Sequence, residues 1–278
     1  MDQVARIDQT INREIPHSRL APGLVWSGVG NGIGNRFPRK DSERVMTMLQ
    51  NTEKLYGKKL AALDGEIGHV KDFYFDDAAW AIRYVVVDTG HWLTGRLVLL
   101  TPHAFTKLDQ DEHTLQVRLS KKQIQDSPSI ASHETVSRQF EEKYYRTYGW
   151  PVYWQGGQMW GISGNPLAFS PQPPDIEVRK SLEPIADRHL QSTKGVAGYH
   201  VQAADGTLGH VRGFQVAPVS WAIQEMVVET GPWHLGKHIL ISTSEIESIN
   251  VAGESVLVKI MKADVRSVHD NEVVQSGA

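Results

Sequence analysis

Histidine and acidic side chains are the residues of this chain that could carry chemistry, and their spacing argues against most of it. His69 and His210 lie in the same tripeptide, Gly-His-Val. An imidazole titrates near neutrality and could serve as proton carrier or metal ligand. Neither has a carboxylate or second histidine recurring with it at ligand spacing, so a strand histidine beside a tight turn is the simpler expectation. His234 and His238 are four apart, which would put both on one face of a helix. Gly236 between them instead reads as a turn into a strand. Asp64, Glu66, Asp76, Asp77 and Asp88 are dense enough to suggest an acid–base pair, which needs two carboxylates in different environments around a substrate. Asp64, however, precedes Gly65, where aspartate bonds its own backbone in a turn. The glycine-rich stretch at 28–35 fits neither nucleotide-binding glycine pattern, and His133-Glu134 lacks the second histidine of a zinc-protease helix. There is no cysteine, which removes disulfides, zinc–thiolate sites and thiol nucleophiles. No catalytic, cofactor-binding or metal-ligating residue is expected.

What positions these residues is a repeat. Residues 55–124 align without a gap on residues 196–265 at an offset of 141, with 20 of 70 positions identical. A match of that length marks a duplicated structural unit. It also sorts the candidates. Asp64, Gly65, Gly68, His69, Trp80 and Trp92 recur as Asp205, Gly206, Gly209, His210, Trp221 and Trp233. These are turn and core residues, and they are assigned a structural role. Asp76 and Asp77 become Ala217 and Pro218, so they are poor candidates for shared chemistry. Asp88 becomes Glu229 before Thr-Gly, which suits an ion pair or a turn bond.

Within the first repeat the pattern reads as short strands: Leu60–Leu63, Ile67–Phe75, Trp80–Val87, Arg96–Leu100, and an alternation at Leu115, Val117 and Leu119. Ser120–Gln125 reads as a short helix. The run at 80–87 is apolar enough to be buried on both faces, whereas Gln224 and Glu225 in the second copy point to one more exposed face. Many short strands in so few residues suggest a small barrel, because closure hides sheet edges. Mainly β architecture is expected: two small antiparallel barrels joined by a partly helical linker.

The repeat sets the layout. Residues 1–50 form an N-terminal extension, with Ile7, Ile11 and Ile15 at helical spacing before a Gly/Pro/Asn-rich stretch. Residues 51–128 are the first repeat, 129–190 the linker, 191–268 the second repeat and 269–278 a tail. In the linker, Val136, Phe140, Tyr144 and Tyr148 step along one helical face, with Gly149 as the cap. Trp150, Tyr153, Trp154 and Trp160 come next and do not recur. They either fold back between the repeats or form a candidate interaction surface, since Trp and Tyr dominate binding hot spots. The formal charge of −3 argues against direct nucleic-acid contact. No apolar run reaches the roughly 18 residues that a membrane span needs, and no signal-peptide pattern opens the chain. A cytoplasmic location is expected, with the cytoplasmic face of a membrane as a peripheral variant.

The motifs DGEIGHVKDFYFDD, WAIRYVVVDTGHW and GRLVLLTP, repeated as DGTLGHVRGF, WAIQEMVVETGPW and GKHILIS, resemble the PRC-barrel family. VSRQFEEKYYRTYGWPVYW resembles the segment after the first barrel in bacterial tandem PRC-barrel proteins. The resemblance covers residues 50–155 and 186–268. It implies adaptor work more often than chemistry. In the photosynthetic reaction-centre H subunit the domain sits on the cytoplasmic face of a membrane complex, and in the ribosome maturation factor RimM it contacts a ribosomal protein. The expected function is therefore a non-enzymatic interaction or scaffold module without cofactor. Its partner would be a protein of a membrane complex or of the ribosome, or a second copy of the chain. The alternatives are a soluble H-subunit-like accessory of a photosynthetic complex, and a small-ligand or metal sensor using the histidines.

Overall fold

Turn chemistry sets the strands of the first repeat. In this computed structural model, which describes residues 48–128, 136, 138–168, 190–231 and 237–265, the Asp64-Gly65 turn joins β2 (Lys59–Ala62) to β3 (Gly65–Asp76). Ahead of them lie β1 (Gln50–Asn51) and the single turn α1 (Thr52–Leu55), capped by the Asn51 side chain. β4 (Ala81–Asp88) returns antiparallel to β3, and β5 (Leu97–Leu100) antiparallel to β4. β6 (Thr114–Gln116) closes the order β5-β4-β3-β2-β6. α2 (Lys121–Gln125) comes after it, with Ser120 and Gln123 forming a reciprocal capping box.

One pairing differs from the antiparallel expectation. β6 runs parallel to β2, and in the second repeat β13 (Ser255–Val258) runs parallel to β8 (His200–Ala203). The long connection after β5 gives the chain room to return in the same direction, which a tight hairpin cannot do.

The second repeat has the same plan with one strand added at the edge, where the first has only the Phe105–Val117 bridge. β7 (Leu190–Ser192) and the turn α4 (Thr193–Val196) lead into β8 (His200–Ala203), β9 (Gly206–Val216), β10 (Ile223–Thr230), β11 (Lys237–Ser242), β12 (Ile246–Asn250) and β13 (Ser255–Val258). Its sheet has the order β11-β10-β9-β8-β13-β12. Between the repeats α3 (Arg138–Tyr148) ends in a Schellman cap. Gly149 adopts φ +65°, its N–H bonds the Arg146 carbonyl, and the Trp150 N–H reaches back to Tyr145.

The two sheets exchange their leading strands. β1, which precedes the first repeat, pairs with β9 of the second, matching Gln50 to Val216 and Asn51 to Gln215. β7, which precedes the second repeat, pairs with β3 of the first, matching Gln191 to Phe75 and Ser192 to Tyr74. Adding 141 to the β1 residues and subtracting 141 from their β9 partners gives the β7–β3 pairs. The same symmetry governs the closest approach of the sheets. Ala81 bridges Ala222, the Ile82 N–H donates to the Trp221 carbonyl at 2.9 Å, and the Ile223 N–H donates to the Trp80 carbonyl at 2.7 Å. The repeats are thus related by an approximate two-fold axis that passes between Ala81 and Ala222. One continuous apolar cluster runs through both, and the described residues belong to a single compact unit.

β4 is buried on both faces, as its sequence predicts. β10 exposes Gln224 and half-exposes Glu225. The two strands differ in their covering: α3 and the aromatic linker lie against β4 in the first repeat.

Candidate functional site

The recurring residues build scaffold in both copies. Asp64 accepts a hydrogen bond from the Lys121 N–H at 2.7 Å, and Asp205 accepts one from Lys262 at 3.0 Å, so each ties the first turn of its repeat to the last helical turn. Gly65 and Gly206 open β3 and β9 directly after these turns. At Gly68 an added Cβ would stand 2.0 Å from the Asp88 carbonyl oxygen, and at Gly209 2.1 Å from that of Glu229. Neither position can carry a side chain without moving a strand. Thr89 and Thr230 donate through their hydroxyls to the carbonyls of Arg96 and Lys237.

Trp80 and Trp221 have φ of +50° and +59°, a left-handed conformation that is unusual for a bulky side chain. Such strain persists only when surrounding structure fixes it. Here each tryptophan carbonyl accepts a hydrogen bond from the opposite repeat. Trp221 is fully buried against Phe105, and half-buried Trp80 stacks on Phe75. Half-buried Trp92 lies under the Lys121 ammonium at 4.8 Å. Trp233 and His234 fall outside the described residues. His69 is exposed and faces Lys59 and Asp88 across the ladder; His210 faces His200 and Glu229.

The structure brings together a second group, built by α3 and the linker against β4. Glu141 of α3 is fully buried. Its Oε1 accepts hydrogen bonds from the hydroxyls of Tyr84 and Tyr153, each at 2.8 Å. Burial, then the nearby Glu141 charge, pushes the Tyr84 phenol well above its ordinary value. Next to it the Arg83 guanidinium pairs with Asp76 at 3.0 Å and donates to the Met159 carbonyl at 2.7 Å. It also lies 3.9 Å from the Tyr153 ring centroid and 4.9 Å from that of Trp160. Asp76 uses its other oxygen to accept the N–H groups of Ala78 and Ala79, which closes the β3–β4 turn. An open cleft of about 360 Å³ borders this group and is lined by Asp76, Arg83, Tyr153, Trp154 and Met159.

The linker aromatics therefore fold back. Trp150, Tyr153 and Trp160 are buried and Trp154 is half-buried, which fits the first of the two readings their sequence left open. The physical reason is the face of β4 that carries Arg83 and Tyr84, against which Tyr153, Trp160 and α3 pack. Trp160 reaches furthest: its indole N–H donates to the Ser220 carbonyl of the second repeat at 2.7 Å.

His103 completes the group. It is buried between Trp150, stacked at 5.8 Å, and the edge of Trp160 at 5.2 Å, with Nδ1 3.2 Å from the Thr101 hydroxyl. Burial, with the charges of Arg118 and Arg83 behind it, pushes its pKa down to about 3. The unfolded chain protonates this residue near 6.5 and the folded one does not. Its contribution to stability is therefore full above pH 6.5 and falls by about 1.4 kcal/mol per pH unit as the pH drops from 6.5 towards 3. Urea unfolding at pH 7.5 and pH 4.5 should show that loss for the native chain. His103→Gln should flatten it, and an unchanged pH slope would refute the assignment.

Sequence reasoning missed Glu141, Arg83 and His103 as one cluster. One signal was available: Asp76, Arg83 and Tyr84 are replaced together by Ala217, Gln224 and Glu225 in the other copy. The cluster's polar atoms bond chain segments to one another, so its geometry suits clamping the linker more than transferring protons. Among the described residues no group of three or more His, Cys, Asp or Glu is placed to hold a metal, and no helix is long and apolar enough to cross a membrane.

Residues 53–124, nearly the whole first repeat, match the family model of the PRC-barrel domain. No curated protein matches the chain.

Proposed function

We propose that this chain, which carries a PRC-barrel domain at residues 53–124, is a tandem PRC-barrel protein that acts in the cytoplasm as a non-enzymatic scaffold for a partner protein. PRC-barrel domains are in general non-catalytic β modules, and the order β11-β10-β9-β8-β13 repeats the order β5-β4-β3-β2-β6 of the first copy. The observation that carries the reading is the reciprocal exchange of β1 and β7 about the Ala81–Ala222 axis. It fuses two modules into one body with two differently finished sheets. The first is sealed by its own helix and aromatic linker. The second leaves Gln224 exposed and Glu225 half-exposed at the matching positions. The buried acids and histidine of the first copy act inward, on the linker.

The test is reconstitution. Cross-linking of the tagged full chain in its native cells should identify a protein that, purified separately, forms a complex of fixed stoichiometry with the purified chain. A turnover activity that survives purification and is abolished by changing one polar residue would overturn the reading. Deleting residues 150–160 is not a usable control, because those aromatics are core.

A further inference from the structure

We propose that the second repeat holds a binding site for one borderline divalent transition cation, of the class of Zn²⁺, Ni²⁺ or Cu²⁺, with His200 and His210 as its protein ligands. The two histidines are direct cross-strand partners on β8 and β9. Their ring centroids are 4.6 Å apart, with the planes inclined by 50°. A metal bound at roughly 2.0–2.1 Å by two imidazole nitrogens in tetrahedral geometry holds those nitrogens about 3.3 Å apart. Rings at this separation can reach that distance by rotating about their side-chain bonds, with no backbone movement. Imidazole is the side chain suited to this class of metal, in contrast to the hard, oxygen-seeking Mg²⁺ and Ca²⁺.

Three further observations point to the same place. First, the pair belongs to a row. His210 faces Glu229 on β10, and Glu229 faces His238 on β11, so four adjacent strands carry His200, His210, Glu229 and His238 in register. Secondly, the row is special to this copy. The equivalent positions in the first repeat are Lys59, His69, Asp88 and Leu97, which place one histidine beside an ammonium. Thirdly, the pair is reachable. His200 is exposed, and His210 lines an open cleft of about 240 Å³ together with Glu53, Tyr56, Arg212 and Glu229.

Glu229 is not assigned as a ligand. Its carboxylate lies 3.9 Å from the Arg212 guanidinium, which also pairs with Glu53 at 2.9 Å. Water completes the coordination shell. With two protein ligands the site is an exchangeable one, whose occupancy depends on free metal, and this proposal stands independently of the scaffold reading.

The experiment uses the full chain, stripped with chelator and titrated with Zn²⁺ or Ni²⁺ by calorimetry. The native chain should show a saturable event of one equivalent, reversed by chelator. His210→Ala should abolish it. So should His200→Lys, which installs the residue that the first repeat carries at Lys59 and so is compatible with the fold. Near-UV circular dichroism checks that both variants keep native packing, and His200→Gln serves if the lysine variant does not. His69→Ala and His238→Ala should leave the event intact. Saturable binding that persists in His200→Lys or His210→Ala overturns the proposal. So does its loss in His238→Ala, which would move the site along the row, and so does the absence of saturable binding at millimolar metal.

Discussion

Trp160→Ala is expected to destabilise the protein by about 3–5 kcal/mol, the usual cost of truncating a buried tryptophan. Three losses combine in one side chain. The indole is fully buried, so its removal leaves a cavity beside His103 and Arg83. Its N–H no longer satisfies the Ser220 carbonyl. The linker also loses its hold on the second repeat one residue away from Trp221, whose left-handed backbone helps form the bridge between the sheets. For a folded unit of this size the midpoint should fall by roughly 10 °C. The more discriminating readout is cooperativity. The native chain should unfold in urea in one transition by both fluorescence and circular dichroism. In Trp160→Ala the two probes should separate, because one contact that makes the repeats melt together is gone. A loss under about 1 kcal/mol with coincident transitions would show that the bridge contributes little.

Asp76→Ala is expected to cost about as much, roughly 3–5 kcal/mol, because it strands the buried Arg83 guanidinium without its counter-charge. The Arg83 side chain is 3% exposed and that of Asp76 13%, so water cannot readily take the place of the carboxylate. The substitution also frees the Ala78 and Ala79 N–H groups that close the β3–β4 turn. The second repeat supplies the control. It carries Ala217 and Gln224 at these positions. The double variant Asp76→Ala/Arg83→Gln should therefore cost less than the sum of its single changes, with a coupling of about 1–3 kcal/mol in urea unfolding. Strict additivity would mean that the charges do not act as a pair.

Much of the fold was legible in local sequence. The Asp64-Gly65 and Asp205-Gly206 turns, the helix through Tyr144 and Tyr148 and its Gly149 cap each depend on residues a few positions apart. Their backbone conformations are set by short-range sterics and hydrogen bonds, so composition and spacing report them. The run at 80–87 read as buried on both faces for the same reason: no polar alternation interrupts it. The inward-folding aromatics were legible only as one of two outcomes, since a cluster of tryptophans suits a core and a contact surface alike. The Glu141–Tyr84–Tyr153 cluster was not legible, because its members are separated by up to 69 positions and none of them stands out locally.

By itself the sequence determined a duplicated β module, its turns and the positions at which the copies diverge. Those come from period, identity at a fixed offset and residue type. Only the tertiary structure decided how the copies join. β1 and β7 are two and three residues long, too short to carry a periodic signal, and each pairs with a strand more than 110 positions away. Nothing local distinguishes pairing within a repeat from pairing across repeats. The choice depends on which arrangement satisfies both exposed strand edges at once, and that is a property of the packed pair of sheets.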